Sequence, residues 1–103
     1  MTTYIGRLDV FDPGKRATKS GGYAGEIVLC AVTTDNMKNG LVAVFEDLEA
    51  NDIVVRTIDF FGVSNEYSDD TRAFGVAIDD LVEAAVDSGQ IVYSDTLGYE
   101  KDL

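Results

Sequence analysis

The segment that most constrains the fold is Tyr23–Thr33, which contains the uninterrupted apolar run Ile27–Val32. It is mostly β-branched and apolar, which is typical of a strand at the centre of a sheet. Two further segments predict strands around it. Thr3–Phe11 alternates apolar and polar residues, and Ile53–Val63 consists mainly of residues that favour strands. We therefore expect a sheet in which Tyr23–Thr33 is central.

The segment from Ser68 to about Ser88 predicts a long amphipathic helix. Ser68 is a suitable N-cap, aspartates follow it in the first turn, and Gly89 marks the end. The residues of its predicted core face recur at helical spacing: Phe74, Ala77, Ile78, Leu81, Val82 and Ala85.

Residues 34–49 carry two conflicting signals. Their apolar residues follow one helical face over three turns, and Thr34 or Asp35 is suited to cap the start. Asn39-Gly40, however, is a strong signal for a hairpin turn. We favour the helix, with the hairpin as the alternative.

A last short strand is predicted at Ile91–Tyr93, extending as far as Leu97 in its longer version. The order is then strand, strand, helix, strand, helix, strand. A chain of 103 residues is long enough for one hydrophobic core, so residues 1–103 are expected to form a single domain. We predict an α+β fold with two helices packed on one face of a mostly antiparallel sheet of about four strands.

The segment Asp12–Gly22 contains the single proline, several glycines and three basic residues, Lys15, Arg16 and Lys19. This composition predicts an exposed, mobile loop. We expect the loop either to contact an acidic patch on a partner or to have no binding role.

Several classes of function are disfavoured by what the chain lacks. It has no histidine, which removes the usual general base near neutral pH and the usual zinc ligand. Its one cysteine, Cys30, lies in the apolar run and is expected to be a buried core residue rather than a reactive thiol. Asp35–Glu46 nearly matches a calcium loop, but Met37 stands at a ligand position. We expect no enzymatic activity, no cofactor and no metal.

The N-terminal residues do not resemble a signal peptide, and no apolar run reaches the roughly 18 residues of a membrane span. We therefore expect a cytoplasmic protein without a membrane partner.

Charge is distributed very unevenly along the chain. Residues 1–38 carry five bases and four acids, whereas residues 39–103 carry three bases and fifteen acids, and the whole chain has a net charge of −11. Such a field repels nucleic acid and anionic membranes and attracts basic protein surfaces. We therefore expect a basic, nucleic-acid-binding protein as the partner and no direct contact with nucleic acid.

Acids of the predicted second helix fall on one stripe, away from its core face. Three of them, Asp79, Glu83 and Asp87, rise by about 6 Å per step, close to the roughly 6.8 Å of two phosphate steps on one DNA strand. The stripe could therefore imitate a row of phosphates. The expected partner-binding residues are Asp69, Asp79, Asp80, Glu83 and Asp87, supported by Glu46, Asp47 and Glu49.

Two other interpretations of the acids stay open. The stripe is equally compatible with a merely solvated helix face. Thirteen of the nineteen acids are aspartates and there are only four lysines, a composition that also suits a protein adapted to high salt. The alternative function is a small structural or assembly protein that forms a homo-oligomer through strand edges or apolar contacts, with the acids serving solubility.

A small, histidine-free and strongly acidic chain with such a stripe resembles the phage-encoded inhibitors of host defence. These include anti-CRISPR and anti-restriction proteins that act as DNA mimics. The resemblance rests on size, on the acidic residues 39–103 and on the stripe, and it covers no diagnostic motif. It implies a non-enzymatic inhibitor that occupies the nucleic-acid channel of a host nuclease or surveillance complex.

Overall fold

The strand predicted to be central has neighbours on both sides. The computed structural model describes residues 1–14, 23–67 and 74–100. Its five-stranded sheet has the order β3-β1-β2-β4, with β5 also paired to β2, and every pairing is antiparallel. The strands are β1 (Thr2–Phe11), β2 (Tyr23–Thr34), β3 (Val54–Val63), β4 (Val92–Tyr93) and β5 (Leu97–Glu100).

Strand β2 is apolar on both of its faces. It pairs with β1 without a register shift from Thr2↔Thr34 to Val10↔Glu26. Val28, Cys30 and Val32 belong to the core on one face, and Leu29 and Ala31 belong to the core on the other. Because side chains alternate along a strand, this composition leaves two apolar surfaces to be covered.

The two helices, α1 (Met37–Ala50) and α2 (Ile78–Ser88), cover these surfaces from opposite sides. Val44 and Leu48 of α1 pack in one core, whereas Leu81 and Ala85 of α2 pack in the other. The predicted α+β class, with two helices and a mostly antiparallel sheet in a single compact domain, is confirmed. The expectation that both helices lie on one face is wrong, because a sheet whose central strand is apolar on both faces needs cover on both.

Helix α1 confirms the helical prediction for residues 34–49. Its cap is Asn36, whose Oδ1 accepts the Asn39 backbone N–H at 2.9 Å, and not the suggested Thr34 or Asp35. Gly40, part of the hairpin signal, is buried inside the helix instead. A Cβ there would lie only 3.0 Å from Thr34 Cγ2, so the glycine permits a close approach of helix to sheet.

Helix α2 is shorter than predicted. It begins at Ile78, after Gly75 with φ +69° and the extended cap residue Ala77, and not at Ser68. It ends at Ser88 before Gly89, as expected. Phe74 is buried in the core although it precedes the helix. Residues 68–73 lie outside the described residues, and so does the predicted cap.

The predicted loop Asp12–Gly22 is described only at its start. Pro13 and Gly14 are helical, and the Asp12 carboxylate accepts the Gly14 backbone N–H at 2.9 Å as a helix cap does, so the prediction of a loop is wrong for these two residues. Residues 15–22, with the three basic residues, lie outside the described part of the chain. Among the helices that are described, none is long and apolar enough to cross a bilayer.

Gly6 provides a test of core packing. A Cβ at Gly6 would lie 2.7 Å from Cys30 Sγ and 3.0 Å from Phe61 Cδ2. A Cβ at Gly98 of β5 would lie 4.0 Å from its nearest neighbour, the Gly25 carbonyl oxygen. We expect Gly6→Ala to lower the free energy of unfolding by roughly 1–3 kcal/mol through overpacking. Gly98→Ala, the matched control, should change it by less than about 0.5 kcal/mol. Urea unfolding measures both, and equal midpoints would contradict the close contact.

Candidate acidic binding surfaces

Helix α2 presents a row of exposed carboxylates. Asp79, Asp80, Glu83 and Asp87 are all exposed, on the helix that buries Leu81 and Ala85 against the sheet. In the described part of the chain, no ion pair or side-chain hydrogen bond involves any of the four. These four residues are called the α2 stripe below. Asp69, the fifth predicted member, lies outside the described residues.

The electrostatics of α2 account for one end of the stripe but not the other. Asp79 and Asp80 lie in the first turn, where no side chain caps the helix, and acids there interact favourably with the helix dipole. Asp87 lies in the last turn, which contains no basic residue. A negative charge at that end is unfavourable, and Glu83 four residues earlier adds repulsion. Helix stability therefore does not explain Asp87.

Helix α1 repeats this arrangement on the opposite side of the sheet. Glu46 and Glu49 are exposed near its C-terminal end, Asp47 is half-buried, and the last turn again lacks a basic residue. The sequence analysis joined these three acids with the α2 stripe in one binding set. The structure does not bring the two groups together on one face, because the helices cover opposite faces.

The segment that follows α2 meets α1 at an edge of the sheet. A groove of about 400 Å³ there is lined by Ala43 and Asp47 of α1 and by the segment Gly89–Ile91 that follows α2. Residues Val32–Thr34 of β2 form its remaining wall. Asp47 is the one acid in this lining, so the groove does not join the two acidic groups into one surface.

Asp47 differs from its neighbours because it has a partner inside the protein. The Tyr93 hydroxyl donates a hydrogen bond of 2.6 Å to Asp47 Oδ2. Burial, together with the adjacent carboxylate, raises the pKa of Tyr93 above its ordinary value. The contact ties the end of α1 to β4, so Asp47 has a structural role that Glu46 and Glu49 lack.

A second cavity, of about 240 Å³, lies between the end of α1 and strands β2 and β4. Aliphatic side chains, among them Val28 and Leu48, share its wall with three carboxylates, Asp12, Glu26 and Asp47. Glu26 is only 4 % exposed, and the Thr96 hydroxyl donates to its Oε1 at 3.0 Å. Sequence reasoning missed this buried acid. Its one signal was an isolated glutamate at the start of the apolar run.

The thiol of Cys30 and possible metal ligands are the remaining candidates for a chemical role in the described part of the chain. Cys30 is fully buried, and burial raises the pKa of its thiol to about 12, so the expectation of a core residue is confirmed. Among the described residues, no three acids or cysteines lie close enough together to hold a metal ion.

Two arginines of the sheet are occupied by other contacts. The Arg7 guanidinium lies 5.5 Å from the centre of the Phe74 ring, and its Nε is 3.7 Å from Asp59. Arg56 lies 4.5 Å from the centre of the Phe11 ring and donates to the Ala24 carbonyl at 2.5 Å. These cations hold the sheet and its flanking segments together, and neither neutralises the α2 stripe.

Tyr93 gives the protein a defined response to alkaline pH. Folding raises the pKa of Tyr93, so its contribution to stability is fully present below its ordinary pKa of about 10 and is lost as pH rises above it. We expect Tyr93→Phe to lower stability near neutral pH by about 1 kcal/mol, through loss of the hydrogen bond. Its stability should then decline less steeply above pH 10. Urea unfolding at a series of pH values tests both, and parallel pH profiles would contradict the assignment.

Asp79 and Asp87 lie at opposite ends of α2, so neutralising them should have opposite effects on the free energy of unfolding. Asp87→Asn should raise the free energy of unfolding by about 0.3–1 kcal/mol, because it removes a negative charge from the C-terminal turn. Asp79→Asn should lower it by a similar amount, because it removes a favourable charge from the first turn. Thermal unfolding at low ionic strength measures both variants. A shift of the same sign in both would show that the helix dipole does not govern these positions.

Comparison of the chain with protein-family models, with curated proteins and with solved structures finds no match in any of the three. An assignment of function therefore rests on the charge, exposure and contacts of the described residues.

Proposed function

We propose that this chain is a non-enzymatic inhibitor of a host-defence nucleoprotein, of the anti-CRISPR or anti-restriction type, acting in the host cytoplasm. It binds a basic nucleic-acid-binding surface through the α2 stripe, in place of DNA or RNA. The observation that carries the proposal is that Asp79, Glu83 and Asp87 stand exposed in one row, with no ion pair or side-chain hydrogen bond to any other described residue.

The arrangement of the row favours binding over solubility alone. Carboxylates dispersed around the exposed part of α2 would keep the protein equally soluble. They would also avoid the repulsion between acids that lie four residues apart. Asp87 is also placed against the helix dipole. A row whose C-terminal part, Glu83 and Asp87, lowers helix stability is consistent with a surface shaped for a cationic partner.

The acids of α1 have a secondary role in this proposal. Because α1 lies on the other face, Glu46 and Glu49 contact the same partner only if that partner reaches around the sheet edge. Their charge still adds to the long-range field that draws a basic surface towards the protein. The net charge of −11 repels nucleic acid and anionic membranes, so neither is a partner.

The alternative function, a small structural or assembly protein, is favoured by a separate observation. Strand β3 lies at the sheet edge, and exposed apolar side chains lie on it and on α1. In that case the acids serve solubility, and a requirement for molar salt to fold would identify adaptation to high salt.

The decisive experiment neutralises the stripe without changing its shape. Immobilised wild-type protein should retain a nucleic-acid-binding protein from host lysate and release it when duplex DNA or salt is added. Asp79→Asn/Glu83→Gln/Asp87→Asn should lose this retention and should no longer protect a phage in cells with an active CRISPR or restriction system.

The matched control is Glu46→Gln/Glu49→Gln, which neutralises exposed acids on the other helix. We expect it to keep most of the binding and protection. Circular dichroism should show that both variants fold. Equal retention by the wild type and the triple variant would refute the role of the α2 stripe.

A further inference from the structure

The outer side of β3 is the longest unpaired strand edge in the described part of the chain. On its inner side β3 pairs with β1 from Tyr4↔Val63 to Phe11↔Val54, and the strand order places no described strand beyond it. An edge strand presents backbone N–H and C=O groups that another extended strand can satisfy. The occupant that this edge fits is therefore a β-strand.

Exposed apolar side chains are concentrated beside this edge. Of the eight large hydrophobic residues exposed in the described chain, five lie on α1 and β3. Helix α1 packs on the face of the sheet where Phe61 of β3 lies, since a Cβ at Gly40 would be 3.4 Å from Phe61 Cζ. The five residues are Met37, Val42, Phe45, Val54 and Ile58.

This region is also the least acidic part of the two elements. Met37–Phe45 contains one base, Lys38, and no acid, and β3 contains one base and one acid. Both β3 charges already have partners, since Arg56 stacks on Phe11 and Asp59 lies by Arg7. A basic partner would find no electrostatic attraction in this region. Two copies of a protein with net charge −11, in contrast, repel each other least when they meet through a neutral surface.

We infer that two copies of the chain form a symmetric dimer by antiparallel pairing of their β3 edges. A two-fold axis perpendicular to the sheet makes the same edge complementary to itself and continues the sheet across both copies. Ile58, in the middle of β3 and 38 % exposed, then faces the partner's Ile58. The two α1 helices come side by side on one face, and the α2 stripes stay exposed on the other.

The assembly closes at a pair, and two irregularities of β3 restrict how much of the edge can take part. The β1–β3 register shifts between Arg7 and Leu8 and again between Asp9 and Val10, so β3 carries two bulges. Bulges strengthen the local twist and are among the features that protect an edge from pairing, so the paired stretch of β3 is short. Once two β3 edges have paired, neither copy retains that edge, so the assembly closes at two.

The first test places a charge in the interface. In sedimentation experiments the wild type should have twice the mass of the 11.1 kDa chain, and Ile58→Lys should weaken dimerisation by more than about tenfold. The matched control is Val86→Lys, which makes the same change in charge at a 55 % exposed residue of α2. It should remain as dimeric as the wild type.

The second test does not depend on how well Ile58→Lys folds. Directly opposed residues of an antiparallel pair have Cα atoms within reach of a disulfide. Under mild oxidation Ile58→Cys should give a covalent dimer, whereas Val86→Cys should not. The wild type, whose cysteine is fully buried, should also stay uncrosslinked.

Each result either supports the dimer or overturns it. A monomeric wild type without crosslinking of Ile58→Cys overturns it, and so does a dimer that Ile58→Lys leaves intact. Salt separates this inference from the proposed function. Added salt screens repulsion between two acidic copies and strengthens the dimer, but it weakens binding of a basic partner to the α2 stripe.

Discussion

The fold depends on one constraint, that the central strand β2 is apolar on both faces and contributes to both hydrophobic cores. Cys30 and Val32 on one face of β2, and Leu29 and Ala31 on the other, are almost completely buried. A strand of this kind is stable only in the middle of a sheet that is covered on both sides. The helix–sheet–helix arrangement follows directly from that requirement.

The same constraint decides where the acids lie. With one helix on each face, the exposed acids of α1 and α2 lie on opposite sides of the sheet. It also leaves β3 at the edge, next to the apolar side of α1. The molecule thus has an acidic side on α2 and a nearly neutral region where α1 meets β3, suited to different partners.

The energetic scale explains how the fold tolerates its charge. Repulsion between acids four residues apart on a helix costs a few tenths of a kcal/mol per pair. Burial of a large apolar side chain, such as Phe74 or Leu81, contributes roughly 1.5–3 kcal/mol. A core with several such residues can therefore support a surface whose charges are placed against the helix dipole.

Local patterns in the sequence were sufficient for the strands Thr3–Phe11 and Tyr23–Thr33, for the helical nature of α1, for the end of α2 at Gly89 and for the burial of Cys30. These features depend on alternation, periodicity and caps, which neighbouring residues specify. Tertiary structure decided four other features: the start of α2, the face that each helix covers, the burial of Glu26 and the hydrogen bond from Tyr93 to Asp47. They depend on contacts between segments far apart in the chain, which a one-dimensional pattern does not encode.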